Sequence, residues 1–153
     1  MIQGVDLHPI LTRCDDRGAL AEIYRTDSPY HKAFGGQINQ VYIVEDPVRG
    51  TIRAFHRHRQ LWDFFFIAHG SAKFALYDGR DGSPTFRETN TFVLGPKNRA
   101  LLVVPPGVYH GWMSLEDDTQ LVSIASHTYN RESPDEERVP HNSFGYDWSV
   151  AFK

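Results

Sequence analysis

The stretch GTIRAFHRHRQLWDFFFIAHG, residues 50–70, decides how this chain is read. Its first part, TIRAFHRH (51–58), carries β-branched and aromatic residues without helical spacing, which is the pattern of a strand. Alternate residues of a regular strand share a face. Ile52, Ala54, His56 and His58 therefore fall on one side, and Thr51, Arg53, Phe55 and Arg57 on the other. The segment RQL can turn the chain back, so that Asp63, at the start of the next strand WDFFFIAHG (62–70), approaches the two histidines. Alternation there sends Phe64 and Phe66 one way and Phe65 the other, as expected of core residues rather than a stacking platform. Two chemistries could use this constellation. One is a metal centre; the other is a site that moves protons beside a carbonyl.

The same pattern continues outward. ALAEIYRT (19–26), QVYIVED (40–46), SAKFALYDG (71–79), ALLVVP (100–105) and TQLVSIASHTY (119–129) also read as strands. They are punctuated by turn signals at GG (35–36), DPVRG (46–50), DGRDGSP (78–84), PPG (105–107) and EDD (116–118). No window of useful length has amphipathic helical spacing. Short strands at this spacing predict an all-β antiparallel sandwich or barrel. A length of 153 residues, with no linker or repeat, predicts one domain. A polar, turn-rich segment from about 130 to 153 is expected to wrap it.

Composition narrows the function classes. The chain is 41% hydrophobic and 23% charged, with a formal net charge of −3 and no long basic block. That argues against broad nucleic-acid or membrane-surface binding, while two or three local arginines still suffice for a small anion. A single cysteine, Cys14, rules out an intramolecular disulfide and points to a reducing cytoplasm. The opening MIQGVDLHPI has neither the basic start nor the apolar stretch of a signal peptide. DFFFIA and ALLVVPP are too short to span a bilayer.

The spacing Gly50, His56, His58, Asp63, Gly70, followed by Pro105, Gly107 and His110 in PPGVYHGWMS, resembles the two signature motifs of the cupin superfamily. That resemblance implies a small jelly-roll β-barrel. Asp63 stands where the first motif usually has Glu, and Arg99 and Ser114 stand where the second usually has Gly and Asn.

The match narrows further. DDRGALAEIY (15–24), RAFH (53–56), GSPTF (82–86), NRALLVVPPGVYHGW (98–112), SHTYN (126–130) and YDW (146–148) resemble, in order, segments of the nucleotide-sugar epimerase family typified by dTDP-4-dehydrorhamnose 3,5-epimerase. Two departures stand out. Asp63 sits where that family has a lysine beside its pocket. The family's C-terminal aspartate, which partners its catalytic histidine, lies beyond the closing Asp-Trp, so its role is expected to be vacant or filled from elsewhere. QVYIVEDPVRGTIRAFHRH (40–58) also resembles the sugar 3,4-ketoisomerases, short cupins with a His-x-His pair.

Either resemblance implies proton removal beside the ketone of a 4-keto-6-deoxy sugar nucleotide. Histidine titrates near neutral pH and suits the base, which assigns His56. Tyr129 is the expected acid. His58 or Arg53 would face the developing enolate oxygen, with Asp63 orienting His58. Arg17, Arg53 or Arg57 would meet the diphosphate. Glu22, Gln40, Asn98 and His110 match polar family positions in or near the pocket. The resemblance further implies a homodimer acting without a cofactor. Two alternatives remain open: a divalent transition metal on His56, His58, Asp63 and His110, and a barrel that binds a small molecule without chemistry.

Overall fold

The computed structural model describes residues 1–150. Two five-stranded antiparallel sheets face each other. The first runs in the order β1 (Asp6–Pro9), β9 (Ala100–Val104), β6 (Asp63–His69), β11 (Thr119–Ala125), β4 (Gln40–Asp46). The second runs β12 (Glu137–Arg138), β5 (Ile52–Arg57), β10 (Val108–Ser114), β7 (Ala72–Asp78), β8 (Thr89–Leu94). A hairpin of β2 (Thr12–Asp15) and β3 (Gly18–Ala21) forms a separate two-stranded sheet. The all-β antiparallel architecture expected from the strand spacing, and the jelly roll implied by the resemblance, are the ones observed. Among the described residues no helix is long and apolar enough to cross a membrane.

Strand β4 matches its expected limits, and the expected strand at 19–26 stops at Ala21. Strands β1, β2, β8, β10 and β12 lie outside the expected set. β10 is hard to read because Gly111 interrupts it and glycine weakens strand interiors. Its role is close approach: a Cβ on Gly111 would lie 2.2 Å from the Cβ of Ala54 on β5. The single α-helix among the described residues, α1 (Pro29–Phe34), is six residues long, too short to show a period. It is marked by its ends instead. Ser28 Oγ accepts from the His31 N–H, Pro29 opens the first turn, and Gly35 closes it in the left-handed region at φ 67°.

The sheets bury apolar side chains on three levels. Phe65, Ile67, Phe74, Leu102 and Trp112 fill the space between them. Phe64 and Phe66 point out of the first sheet, under Tyr24, Tyr30 and Phe34. Phe55, Tyr109 and Met113 point out of the second, under Tyr146 and Trp148 of the C-terminal segment. The central strands of both sheets are thus covered on both faces, so the Phe64–Phe66 run is wholly core.

One expectation fails at the decisive strand. His110 of β10 pairs with His56 of β5, but Trp112 pairs with Arg53. Two steps on one strand match three on the other, which is a β-bulge. The bulge breaks the alternation assumed for residues 51–58. Arg53 moves onto the side of His56, and Phe55 packs into the outer cluster with Ala54 and Ile52.

The SPTF segment has a structural role. The wholly buried Asp78 carboxylate accepts from Arg80 Nε at 2.8 Å and from the hydroxyls of Ser83 and Thr85, each at 2.6 Å. Burial alone would raise its pKa, but these donors and the Arg80 N–H outweigh it and hold the carboxyl well below its usual range. A lowered folded-state pKa stabilises the fold above the unfolded value near 3.9, and the gain is lost as pH falls further. Asp78→Asn is expected to cost about 2 kcal/mol at pH 7, the scale of hydrogen bonds to a charged group. In urea titrations its gap to the wild type should narrow below about pH 4.

Candidate active site

The barrel interior turns polar at one end. His56 comes from β5, His58 follows that strand, His110 comes from β10, and Asp63 opens β6 on the facing sheet. One ligand-capable ring nitrogen from each histidine lies within 4.8 Å of the others. The His56 and His110 rings stand 4.2 Å apart between centroids. Asp63 Oδ2 lies 3.4 Å from His58 Nε2 and 3.3 Å from His110 Nε2. Asp63 and His110 are buried, so neither is a turn cap or a surface residue.

The two outer histidines are fixed by their other nitrogens. His110 Nδ1 donates to the Val108 carbonyl at 3.0 Å, and His58 Nδ1 donates to the Asp135 carbonyl. Asp135 also clamps the turn between β5 and β6. Its carboxylate accepts from the N–H groups of Arg59, Gln60 and Leu61, at 3.0, 2.8 and 3.1 Å. His56 differs from both. Among the described residues nothing hydrogen-bonds its ring. Burial, aided by His110, His58 and the Arg138 guanidinium, holds its pKa well below the usual histidine range. It is therefore a neutral imidazole at pH 7.

Two cavities meet at His56. One, of about 270 Å³, is lined by Gln40, Tyr42, His58, Asp63 and Tyr129. The other, of about 500 Å³, lies along Arg53, Phe65 and Trp112. Tyr42, Glu136 and Arg138 border both. Tyr129 is 59% exposed, and its backbone N–H donates to Gln40 Oε1 at 2.8 Å. Arg53 is held against the wholly buried Asp46 carboxylate at 2.7 Å. Arg57 lies outside this space, paired with Glu137 and stacked over Tyr109.

Of the residues expected at the site, His56, His58, Asp63, His110, Gln40, Arg53 and Tyr129 come together. Arg17, Glu22 and Asn98 do not reach the cluster within this chain. Arg17 pairs with Asp15 at the tip of the β2–β3 hairpin, Glu22 pairs with Arg25, and Asn98 donates to the Val93 carbonyl in the β8–β9 turn. Asp135, Glu136 and Arg138 were not anticipated. They belong to a polar tail that carries no motif, and only the pairing of Arg138 with His56 brings β12 into the cavity wall.

The sequence matches the family described as dTDP-4-dehydrorhamnose 3,5-epimerase across residues 1–153. It is 35% identical to the spore coat polysaccharide biosynthesis protein SpsL of Bacillus subtilis, with all of both chains covered. It is 32% identical to the probable low-salt glycan biosynthesis epimerase Agl13 of Haloferax volcanii, over 97% of this chain and 96% of that one. The fold superposes on the crystal structure of a dTDP sugar isomerase from Desulfovibrio desulfuricans G20 with a TM-score of 0.85. There the identity is 26%, covering 99% of this chain and 94% of the other. A jelly roll with a neutral histidine where two cavities meet, matched over its whole length in this way, belongs to the dTDP-4-dehydrorhamnose 3,5-epimerase family of isomerases.

Proposed function

We propose that the protein epimerises a 4-keto-6-deoxy sugar linked to a nucleoside diphosphate, with His56 as base and Tyr129 as acid. The observation that carries this assignment is the position of His56. It is a neutral imidazole with no hydrogen-bond partner among the described residues, placed where two cavities join. His56 enters from the second sheet, whereas Tyr129 follows β11 of the first, so the two can address opposite faces of a ring lying between them. His56 takes the proton from the carbon beside the ketone, and the electron pair moves onto the carbonyl oxygen. Tyr129 then returns a proton to that carbon from the other face, inverting it. Arg53 and Arg138 offer positive charge to the diphosphate. The names of the two relatives, spore coat polysaccharide and glycan biosynthesis, support placing the reaction in surface-carbohydrate assembly.

Proton NMR of dTDP-4-keto-6-deoxyglucose with the protein in D₂O tests this. Enzyme-dependent deuterium at C3 and C5 supports a 3,5-epimerase, and at C3 alone a mono-epimerase. Migration of the carbonyl to C3 replaces the assignment with a 3,4-ketoisomerase. Absence of any exchange removes it for this sugar. Tyr129→Phe separates the two proton carriers: deuterium should still enter from the His56 side, while net inversion falls by about 10²-fold or more.

The protein is proposed to act as a cytoplasmic homodimer. Val41 and Ile43 on the edge strand β4 are 61% and 60% exposed, an apolar row of the kind a second copy covers. The exposed free thiol of Cys14 suits a reducing compartment.

A further inference from the structure

We infer that the Tyr42 hydroxyl is a third catalytic group, donating a hydrogen bond to the oxygen on which the enolate charge collects. The role rests on the epimerase assignment. When His56 takes the proton beside the ketone, negative charge develops on the carbonyl oxygen, and catalysis needs a donor already aimed at that point. This oxygen lies in the plane of the ketone, between the two faces that His56 and Tyr129 address. Its donor must therefore reach the place beside His56 where the two cavities join.

Four of the described residues border both cavities: Tyr42, His56, Glu136 and Arg138. His56 is the base. The Glu136 carboxylate only accepts. Arg138 Nη2 is bound to it at 2.9 Å, and the Arg138 side chain is 77% exposed. Tyr42 remains, and it brings a hydroxyl. The histidines close by are engaged elsewhere. His58 and His110 each turn Nδ1 to a backbone carbonyl and Nε2 to Asp63.

Strand alternation places the phenol. Gln40, Tyr42 and Val44 of β4 face the cavities, whereas Val41 and Ile43 between them are 61% and 60% exposed on the other side. Tyr42 pairs across the sheet with the buried Ser123 of β11. Tyr42 is itself 42% exposed, so a ligand can reach it. Burial around its hydroxyl raises the pKa, the Ser123 hydroxyl opposes that rise, and the Asp63 and Glu136 carboxylates add to it. The hydroxyl thus points to the polar end of the barrel and keeps its proton at pH 7. The Asp63 carboxylate repels a nearby enolate, which makes a donor at this point matter more.

Tyr42→Phe removes the hydroxyl and keeps the ring. On the 4-keto sugar in D₂O it should lower kcat and deuterium entry together, by about 10²–10³-fold, while KM moves much less. Tyr129→Phe is the contrast, since there deuterium still enters and inversion is lost. The melting temperature and the calorimetric affinity for dTDP should stay close to those of the wild type. Replacing Tyr42 by 3-fluorotyrosine keeps the hydroxyl in nearly the same shape but lets it ionise at lower pH. That protein should remain active at pH 7, and the basic limb of its kcat profile should move to lower pH. A basic limb that stays in place overturns the inference. A Tyr42→Phe loss confined to inversion would make Tyr42 the acid, and a loss confined to KM would make it a binding residue; either result overturns the inference as well. Wild-type exchange that Tyr42→Phe leaves intact removes only the role of Tyr42. Wild-type protein that exchanges no deuterium removes the epimerase assignment, and this role with it.

Discussion

His56→Ala is expected to lower kcat/KM on the 4-keto sugar by about 10²–10⁴-fold, the span general-base catalysis commonly supplies. At about 1.4 kcal/mol per decade, that is about 3–5.5 kcal/mol of transition-state stabilisation. Deuterium entry from D₂O should fall in step, since the lost step is proton removal itself. Folding should suffer much less, because the ring makes no hydrogen bond with the described residues. His58→Ala is the informative contrast. His58 holds the Asp135 carbonyl and faces Asp63, so its loss should disturb the turn at 59–61 as well as the chemistry. The pH profile gives a second handle on the base. A pKa held below the usual histidine range keeps His56 unprotonated through pH 6.5, so the acidic limb of kcat/KM should lie below that value. Exchange that survives in His56→Ala, or an acidic limb near pH 7 or above that disappears with His58→Ala, would move the base to His58.

The sequence reached the site through residue type and order, and it faltered where geometry is set by distant pairing. His56, His58 and Asp63 were legible because two histidines one residue apart share a strand face and a short turn follows them. The bulge opposite Gly111 was not legible, since it arises from the register of β5 against β10, strands about fifty residues apart. It places Arg53 at the cavity on the side of His56 and lets Ile52 and Ala54 pack against the outer cluster. Asp135, Glu136 and Arg138 were hidden for a similar reason. A charged, turn-rich tail looks solvated in sequence, and two residues of strand pairing make it part of the cavity wall. Helix α1 was missed because six residues cannot display a period, although Ser28, Pro29 and Gly35 carry its end signals. The resemblance to a nucleotide-sugar epimerase, by contrast, was sound over the whole chain. The order of short motifs survives even where single residues such as the family's lysine have changed.

Phe55→Ala should be the most damaging single truncation near the site. Phe55 is 1% exposed and packs its ring 5.4 Å from that of Phe144, 6.0 Å from Tyr146 and 5.5 Å from Trp148. Its backbone also pairs with Val139 in both directions, at 3.1 and 3.0 Å. One residue thus fastens the C-terminal segment to β5 by side chain and main chain together. Removing a fully buried phenyl costs about 3–5 kcal/mol, from lost burial plus the cavity left behind. For a chain of this length that lowers the melting temperature by about 6–20 °C. The backbone pairing survives the substitution, so the segment should loosen rather than detach. Glu136 and Arg138 ride on the loosened segment, so substrate affinity should fall while the proton-transfer step, carried by His56, changes less. Calorimetry and steady-state kinetics on Phe55→Ala and Phe144→Ala separate the effects. Phe144 is 38% exposed, against 1% for Phe55, and should cost less in stability. A loss below about 1 kcal/mol for Phe55→Ala would mean that the tail is not held by this cluster. An unchanged KM despite the full stability loss would mean that Glu136 and Arg138 do not contact the substrate.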